Sequence, residues 1–202
     1  MGVYSIVVKH FKKLINQIDI PKSKQAEKLV FKRWILERIA EYFLYGMFVI
    51  AFPFISFMEF NSDLTKNEPI GISLTFFTLS LILSSLLIYS ILNLNTLKRV
   101  KGISRGQNTN LIKKIAEKNN WNIYSSNQQM TILNLNWKES SGFDWGKQLT
   151  IIYDGTDLLV NCISFGLHSS PSPFHWFANK RKINKLKTEF ESGIKNVLQQ
   201  RV

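Results

Sequence analysis

The chain is 202 residues long, carries 26 Lys+Arg against 14 Asp+Glu for a formal net charge of +12, and has a mean hydropathy of −0.04. That near-zero mean averages an apolar middle with polar, lysine- and asparagine-rich flanks, so it does not describe an ordinary soluble domain. The single cysteine, Cys162, excludes an intramolecular disulfide framework and carries no sign of an oxidising compartment.

The N-terminus is expected to hold no signal peptide, because Val3–Val8 is too short for an apolar h-region and no small-residue cleavage site follows. Ile6 stands where a myristoylated Met1-Gly2 start needs Ser or Thr. Val3, Val7, Phe11, Leu14 and Ile18 recur at helical spacing, with Lys9, Lys12 and Lys13 between them. Such a helix lies on an inner leaflet or packs on a neighbouring subunit. Pro21 is expected to break it, and Ser23 to cap a second helix through Glu27, Trp34 and Arg38 that runs on toward the first apolar run. Residues 1–38 thus read as a basic amphipathic arm.

Two uncharged apolar runs follow, Tyr42–Met58 and Pro69–Leu97. A spanning helix needs ~20 mostly apolar residues, because lipid cannot hydrogen-bond an exposed backbone. The pattern predicts a transmembrane hairpin over 39–97, with spans at 39–58 and 70–92 and an outside loop at 59–69. Basic residues outnumber acidic ones nine to three before the first span, and Lys98, Arg99, Lys101 and Arg105 follow the second. The loop holds Glu59, Asp63 and Glu68 with only Lys66. By the positive-inside rule both termini are cytoplasmic, and the juxtamembrane cations meet an anionic inner leaflet. RNA binding is the alternative reading of the same charge.

Gly46 and Pro53 lie on nearly one face of the first span, where Pro53 predicts a kink and, more sharply, a hinge. The second span carries Ser73, Thr78, Ser80, Ser84 and Ser85. Small hydroxylated residues let helices approach closely and bond across them. They predict packing within the hairpin against Gly46, a homo-oligomer contact, or the lining of a wet pore. No charged residue lies mid-membrane, which argues against a proton relay or coupled transporter.

Residues 98–108 read as a basic linker, and 109–202 as a cytosolic α+β domain. Thr109 is expected to cap a helix over Leu111–Lys118, ending at Asn119-Asn120. Four alternating segments suit strands: Trp121–Ser125, Met130–Trp137, Gln148–Tyr153 and Leu158–Ser164. Asp154-Gly155-Thr156-Asp157 is a hairpin turn. A closing helix over Asn179–Gln200 puts Ile183, Leu186, Phe190, Ile194 and Val197 on one face. The predicted fold class is therefore a two-helix membrane hairpin plus a small α+β domain, helix, four-stranded antiparallel meander, helix.

Cys162, His168 and His175 form the only soft-ligand set, and their spacing matches no usual zinc pattern, so no metal and no cofactor are expected. Cys162 alternates as an inward strand residue. No Gly-rich phosphate loop or nucleophile elbow is present, and the aspartates look like turn formers, so an enzyme is not expected. Two aromatic–basic clusters are the ligand or anion candidates. One is Trp137, Phe143 and Trp145 beside Lys138 and Lys147. The other is the run Pro171–Phe177, with His175 and Trp176, leading into Asn179, Lys180, Arg181 and Lys182. Rings beside cations stack nucleotides while the cations hold phosphate; alternatively the rings pack sheet edges or dip into a membrane interface.

Trp145-Gly146, the strand Leu158–Ser164 ("LLVNCIS"), the Ser/Pro loop and the run Asn179–Lys187 ("NKRKINKLK") occur together over about 80 residues. In this the chain resembles the C-terminal domains of small, uncharacterised bacterial two-helix membrane proteins. Its plan is also similar to that of membrane effectors or accessory proteins of bacterial antiviral systems, CRISPR-associated or nucleotide-signalled. The resemblance implies a domain type and carries over no catalytic residue. From plan and resemblance the expected role is a non-enzymatic protein of the bacterial inner membrane, in antiviral defence, whose cytosolic domain senses a protein or nucleotide signal and acts through an oligomeric hairpin that perturbs the membrane or forms a pore. The alternatives are a scaffold tethering a cytosolic machine, or a membrane-anchored RNA binder.

Overall fold

The computed structural model describes residues 18–32, 35–135, 146–165 and 171–199, leaving aside the side chains of 35–42 and 44. The amphipathic helix predicted over Val3–Ile18 lies outside the described residues except for Ile18, as do Trp34, Trp137, Phe143, Trp145 and His168. Two units are distinct: residues 33–93, and residues 1–32 with 94–202.

The first unit is a pair of long helices. The described helix Ile20–Ala26 is α1, so these are α2, Ile35–Lys66, and α3, Gly71–Asn93. Both are long and apolar enough to cross a membrane. The predicted outside loop over 59–69 is shorter than expected. Glu59, Asn61, Ser62 and Asp63 are polar but continue α2 to Lys66, leaving only residues 67–70 between the helices. Asn67, at φ 54, ends α2 in the left-handed conformation, and Glu68 N–H donates back to Asp63 O at 3.0 Å. α2 runs through Pro53 without ending there.

The second unit is a five-stranded antiparallel sheet, not the four-stranded meander expected. Its strands are β1 Lys98–Val100, β2 Asn122–Ser126, β3 Met130–Asn134, β4 Lys147–Asp154 and β5 Asp157–Ser164, in the order β1-β5-β4-β3-β2. The extra strand comes from the predicted basic linker: Lys98, Arg99 and Val100 pair with Val160, Leu159 and Leu158. Gly155, at φ 62, makes the tight β4–β5 turn. Helix α4, Arg105–Lys118, begins four residues before the expected cap; the Thr109 hydroxyl instead donates to Arg105 O inside the helix at 3.0 Å. Helix α5 is Trp176–Gln199, preceded by a 3-10 turn at Pro173–His175.

Strand alternation splits the core in two. Leu133, Leu149, Ile151, Val160 and Cys162 face α4 and α5, meeting Ile112, Leu186 and Phe190. Met130, Ile132, Ile152, Leu159 and Ile163 face the other way, where Ile18, Leu29 and Leu97 cover them. The segment read as part of a basic amphipathic arm is therefore, over 18–31, a covering layer of the sheet. Its local chemistry differs from expectation too. Asp19, not Ser23, caps α1 by accepting from Lys22 N–H at 3.2 Å, and Pro21 lies in the first turn of that helix. Ser23 is fully buried, its hydroxyl donating to Asp19 O at 2.7 Å and accepting from Val30 N–H at 2.9 Å. Glu27 at φ 46 ends α1, so no helix is continuous from Ser23 to the first span.

Candidate functional site

Three groups of residues carry what chemistry the described structure has. The first is the seam between α2 and α3. Ser73, Ser80, Ser84 and Ser90 are the buried side chains of α3, whereas Phe43, Ile50, Phe52, Phe76, Leu83 and Leu92 point outward. All but three of the exposed large apolar side chains among the described residues lie between Phe43 and Leu92. This is the inverse of a water-soluble helix pair.

Along the seam Ser56 Oγ and Ser80 Oγ share a hydrogen bond of 2.7 Å, and Phe60 stacks on Phe77 at 6.0 Å. Ser84 Oγ donates to Val49 O at 2.9 Å. Val49 O is the carbonyl four residues before Pro53, the acceptor that Pro53, having no N–H, leaves without its helical partner. Pro53 and Ser84, separate signals in the sequence, form one device. Gly46 is not part of it in the way expected: a Cβ there would meet nothing within 4 Å, so no close helix approach depends on it. Thr78 and Ser85 are exposed and donate to their own helix, at Leu74 O and Leu81 O, both 2.8 Å. Ser56 was missed because it is a lone hydroxyl in a phenylalanine-rich run.

The second group joins the segments flanking the hairpin. Lys28 bridges Thr96, Leu29 N–H donates to Asn95 O at 2.7 Å, and Leu97 N–H donates to Glu27 O at 2.9 Å. Asn161, 2% exposed on β5, donates its amide to Leu94 O at 3.1 Å and Thr96 O at 2.8 Å. Arg99 completes the clamp, bonding Glu27 Oε1 and Asp154 Oδ2 at 2.9 Å and Asp157 Oδ2 at 3.3 Å. Those bonds, to Glu27 first and then Asp154, raise the Arg99 pKa above its already high ordinary value. A raised basic group contributes fully below its unfolded pKa, so Arg99 itself adds no pH dependence in ordinary solutions. The side chain is 40% exposed, so each pair is worth only ~0.2–1 kcal/mol. Arg99→Gln should cost about 1 kcal/mol in thermal or denaturant unfolding, and added salt should shrink the difference from wild type. A salt-independent difference would mean that Arg99 acts through packing.

The third group is the end of the sheet where β5 finishes. Lys98 pairs with Val160, so Leu94 runs alongside the C-terminal half of β5; Lys147 pairs with Ser164. α5 starts at the same end, since Asn179 Oδ1 accepts from Ser164 Oγ at 2.7 Å and Cys162 Sγ at 3.8 Å. Two anion candidates are overturned here. Lys147 is 3% exposed on the helix-covered face of β4, and Asn179 is 4% exposed, its Oδ1 joining α5 to β5 and its Nδ2 buried away from solvent. Trp176 is half-buried, with Lys180 Nζ 5.0 Å from its ring centre and Phe177 edge-on at 4.5 Å. His175 and Lys182 are half-buried, Lys180 and Arg181 exposed. The most open rings at this end of the sheet are Phe174 and Phe177, each 63% exposed, inside the aromatic run but not among the candidates drawn from it. Cys162 lies buried in the core, and the described residues contain no group of three His, Cys, Asp or Glu placed to hold a metal.

The class defined by these residues is an outward-apolar two-helix hairpin carrying a five-stranded antiparallel α+β domain. Comparison with protein-family models, with curated proteins and with solved structures finds no match to this chain.

Proposed function

We propose that the protein is a non-enzymatic, two-span tether of the bacterial inner membrane. It holds the α+β domain at the cytoplasmic face, and the Asn161–Arg99 clamp gathers within that domain the two chain segments that flank the hairpin. The observation that carries this reading is the inverted hairpin, serines in the seam and phenylalanine and leucine outside. In water those outward side chains would each forgo ~1.5–3 kcal/mol of burial; in lipid they are at no disadvantage, and the buried hydroxyls gain partners. The tether is favoured over a pore because Ser73, Ser80 and Ser84 are used inside the seam. The carboxylates of Glu27, Asp154 and Asp157 are engaged by Arg99, which favours a structural role over acid–base chemistry. Lys28, Lys32, Lys98 and Lys101 beside the spans support cytoplasmic termini.

The protein should stay in the membrane pellet after alkaline carbonate extraction. A thiol introduced by Glu68→Cys should react with an impermeant maleimide in intact spheroplasts, and one introduced by Ser192→Cys only after lysis. Extraction into the supernatant would end the membrane reading, and the reverse labelling order would overturn the orientation.

A further inference from the structure

We propose that the β5 end of the α+β domain is a lipid-docking foot, with Phe174 and Phe177 inserting into the headgroup region of an anionic bilayer and Lys180 and Arg181 meeting its phosphates. The inference rests on the tether reading above and adds a second, peripheral membrane contact to the two spans.

Phe174 and Phe177 are each 63% exposed, whereas Trp121, Phe165 and Phe190 of the same domain are 4%, 2% and 0% exposed. Two open phenylalanines on one turn of chain form an apolar spot that water does not favour. Their neighbours fit a membrane interface: Trp176 is the side chain most at home at headgroup depth, and exposed Lys180 and Arg181 follow within one helical turn. Each cation close to an acidic leaflet contributes on the scale that draws polybasic segments to such surfaces.

Position supplies the second, independent argument. Leu94, the domain's first residue after α3, is held by Asn161 alongside the last residues of β5. Asn179 is bonded to Ser164, and Asn184 accepts from Lys98 Nζ at 2.7 Å. The aromatic turn and the chain's exit toward α3 therefore share one end of the sheet. A nucleic acid would also accept rings and cations, but nothing in that chemistry calls for them at the exit.

The test uses the full chain in vesicles, with a nitroxide on Phe177→Cys, a control label on Ser192→Cys further along α5, and a third on Ile82→Cys in the hairpin. The parent, whose Cys162 is buried, sets the background. Oxygen concentrates in lipid and a nickel chelate in water, so their relative collision rates report depth. In phosphatidylglycerol-containing vesicles the ratio at 177 should exceed that at 192 severalfold. It should fall to the level of 192 in phosphatidylcholine alone or with Lys180→Glu and Arg181→Glu. A ratio at 177 equal to that at 192 in acidic vesicles, with 82 still oxygen-accessible, overturns the foot and leaves the tether standing. If 82 is also water-accessible, the tether reading fails as well. Shielding of 177 by a single-stranded RNA oligonucleotide, with no response to acidic lipid, would replace the foot by a nucleic-acid site.

Discussion

Replacing Asn161 with Leu is expected to loosen the two segments that flank the hairpin while the rest of the sheet stays folded. Asn161 sits between Leu159 and Ile163 on the face covered by Ile18 and Leu29, so Leu suits its surroundings in size and polarity. What Leu cannot do is donate to Leu94 O and Thr96 O. An acceptor stranded in the interior costs ~1–3 kcal/mol. Two effects temper that cost: Thr96 is exposed and its carbonyl regains water, and the substitution removes Asn161 Oδ1, which is buried without a partner. The net loss should be about 2 kcal/mol. It should appear in hydrogen exchange as roughly thirtyfold faster opening of the Leu29 and Leu97 amides, with β4 amides little changed.

The companion Asn161→Asp separates donation from shape. It keeps the outline, loses both donors and sets a carboxylate against two carbonyl oxygens. Burial and those oxygens raise its folded pKa above the unfolded value. Stability is then highest in acid and falls as pH rises through the carboxylate range, since the charged form is the one the fold disfavours. Asn161→Asp should therefore be weaker than Asn161→Leu at neutral pH and recover on acidification, where the protonated acid can donate once. Equal opening in both variants at every pH would show that the amide is not what holds the clamp.

The same residue marks the limit of what the sequence discloses. Alternation identified Leu158–Ser164 as a strand, and it is one, but alternation reports which face a side chain takes and not which backbone it reaches. A polar Asn inside an apolar strand was the available signal, visible only as an exception to the pattern. β1 escaped because Lys98-Arg99-Val100 is short and mostly charged; at a sheet edge that is ordinary, and only its partner β5 makes it a strand. The covering layer at 18–31 escaped because it is built from caps and single bridges, whose energy lies in tertiary contact and not in any period. The hairpin was legible through its two apolar runs, but its loop was placed too early, since hydropathy marks where apolarity ends and α2 does not end there. Of the ligand candidates, Lys180 and Arg181 are open and Lys147 and Asn179 are buried. Residue type proposes charge or amide chemistry; only packing decides whether solvent can reach it.

The seam offers the second large effect, as a coupling between residues 31 positions apart in sequence, Pro53 and Ser84. Ser84→Ala leaves Val49 O with neither a helical donor nor a hydroxyl; if the hairpin spans a bilayer as proposed, lipid supplies no replacement. Interhelical hydrogen bonds in membranes are worth ~0.6–1.7 kcal/mol when measured, less than the bare desolvation cost, so a loss of about 1–2 kcal/mol is expected. Pro53→Ala should change the outcome, because the backbone N–H that alanine restores at this position can bond Val49 O within α2. In that background Ser84→Ala should cost about 0.5 kcal/mol or less, and Ser84→Thr, which keeps the hydroxyl, should be mild in both. Ser85→Ala is the internal control, since its hydroxyl is exposed and bonded to its own helix. Reversible unfolding in mixed micelles or bicelles gives the four corners of the cycle; a coupling energy near zero would mean that Ser84 merely fits the seam. A coupling of about 1 kcal/mol or more would give Pro53 a role opposite to a free hinge. The carbonyl it releases is then what binds α2 to α3, and flexing at Pro53 would have to break the Ser84 bond first.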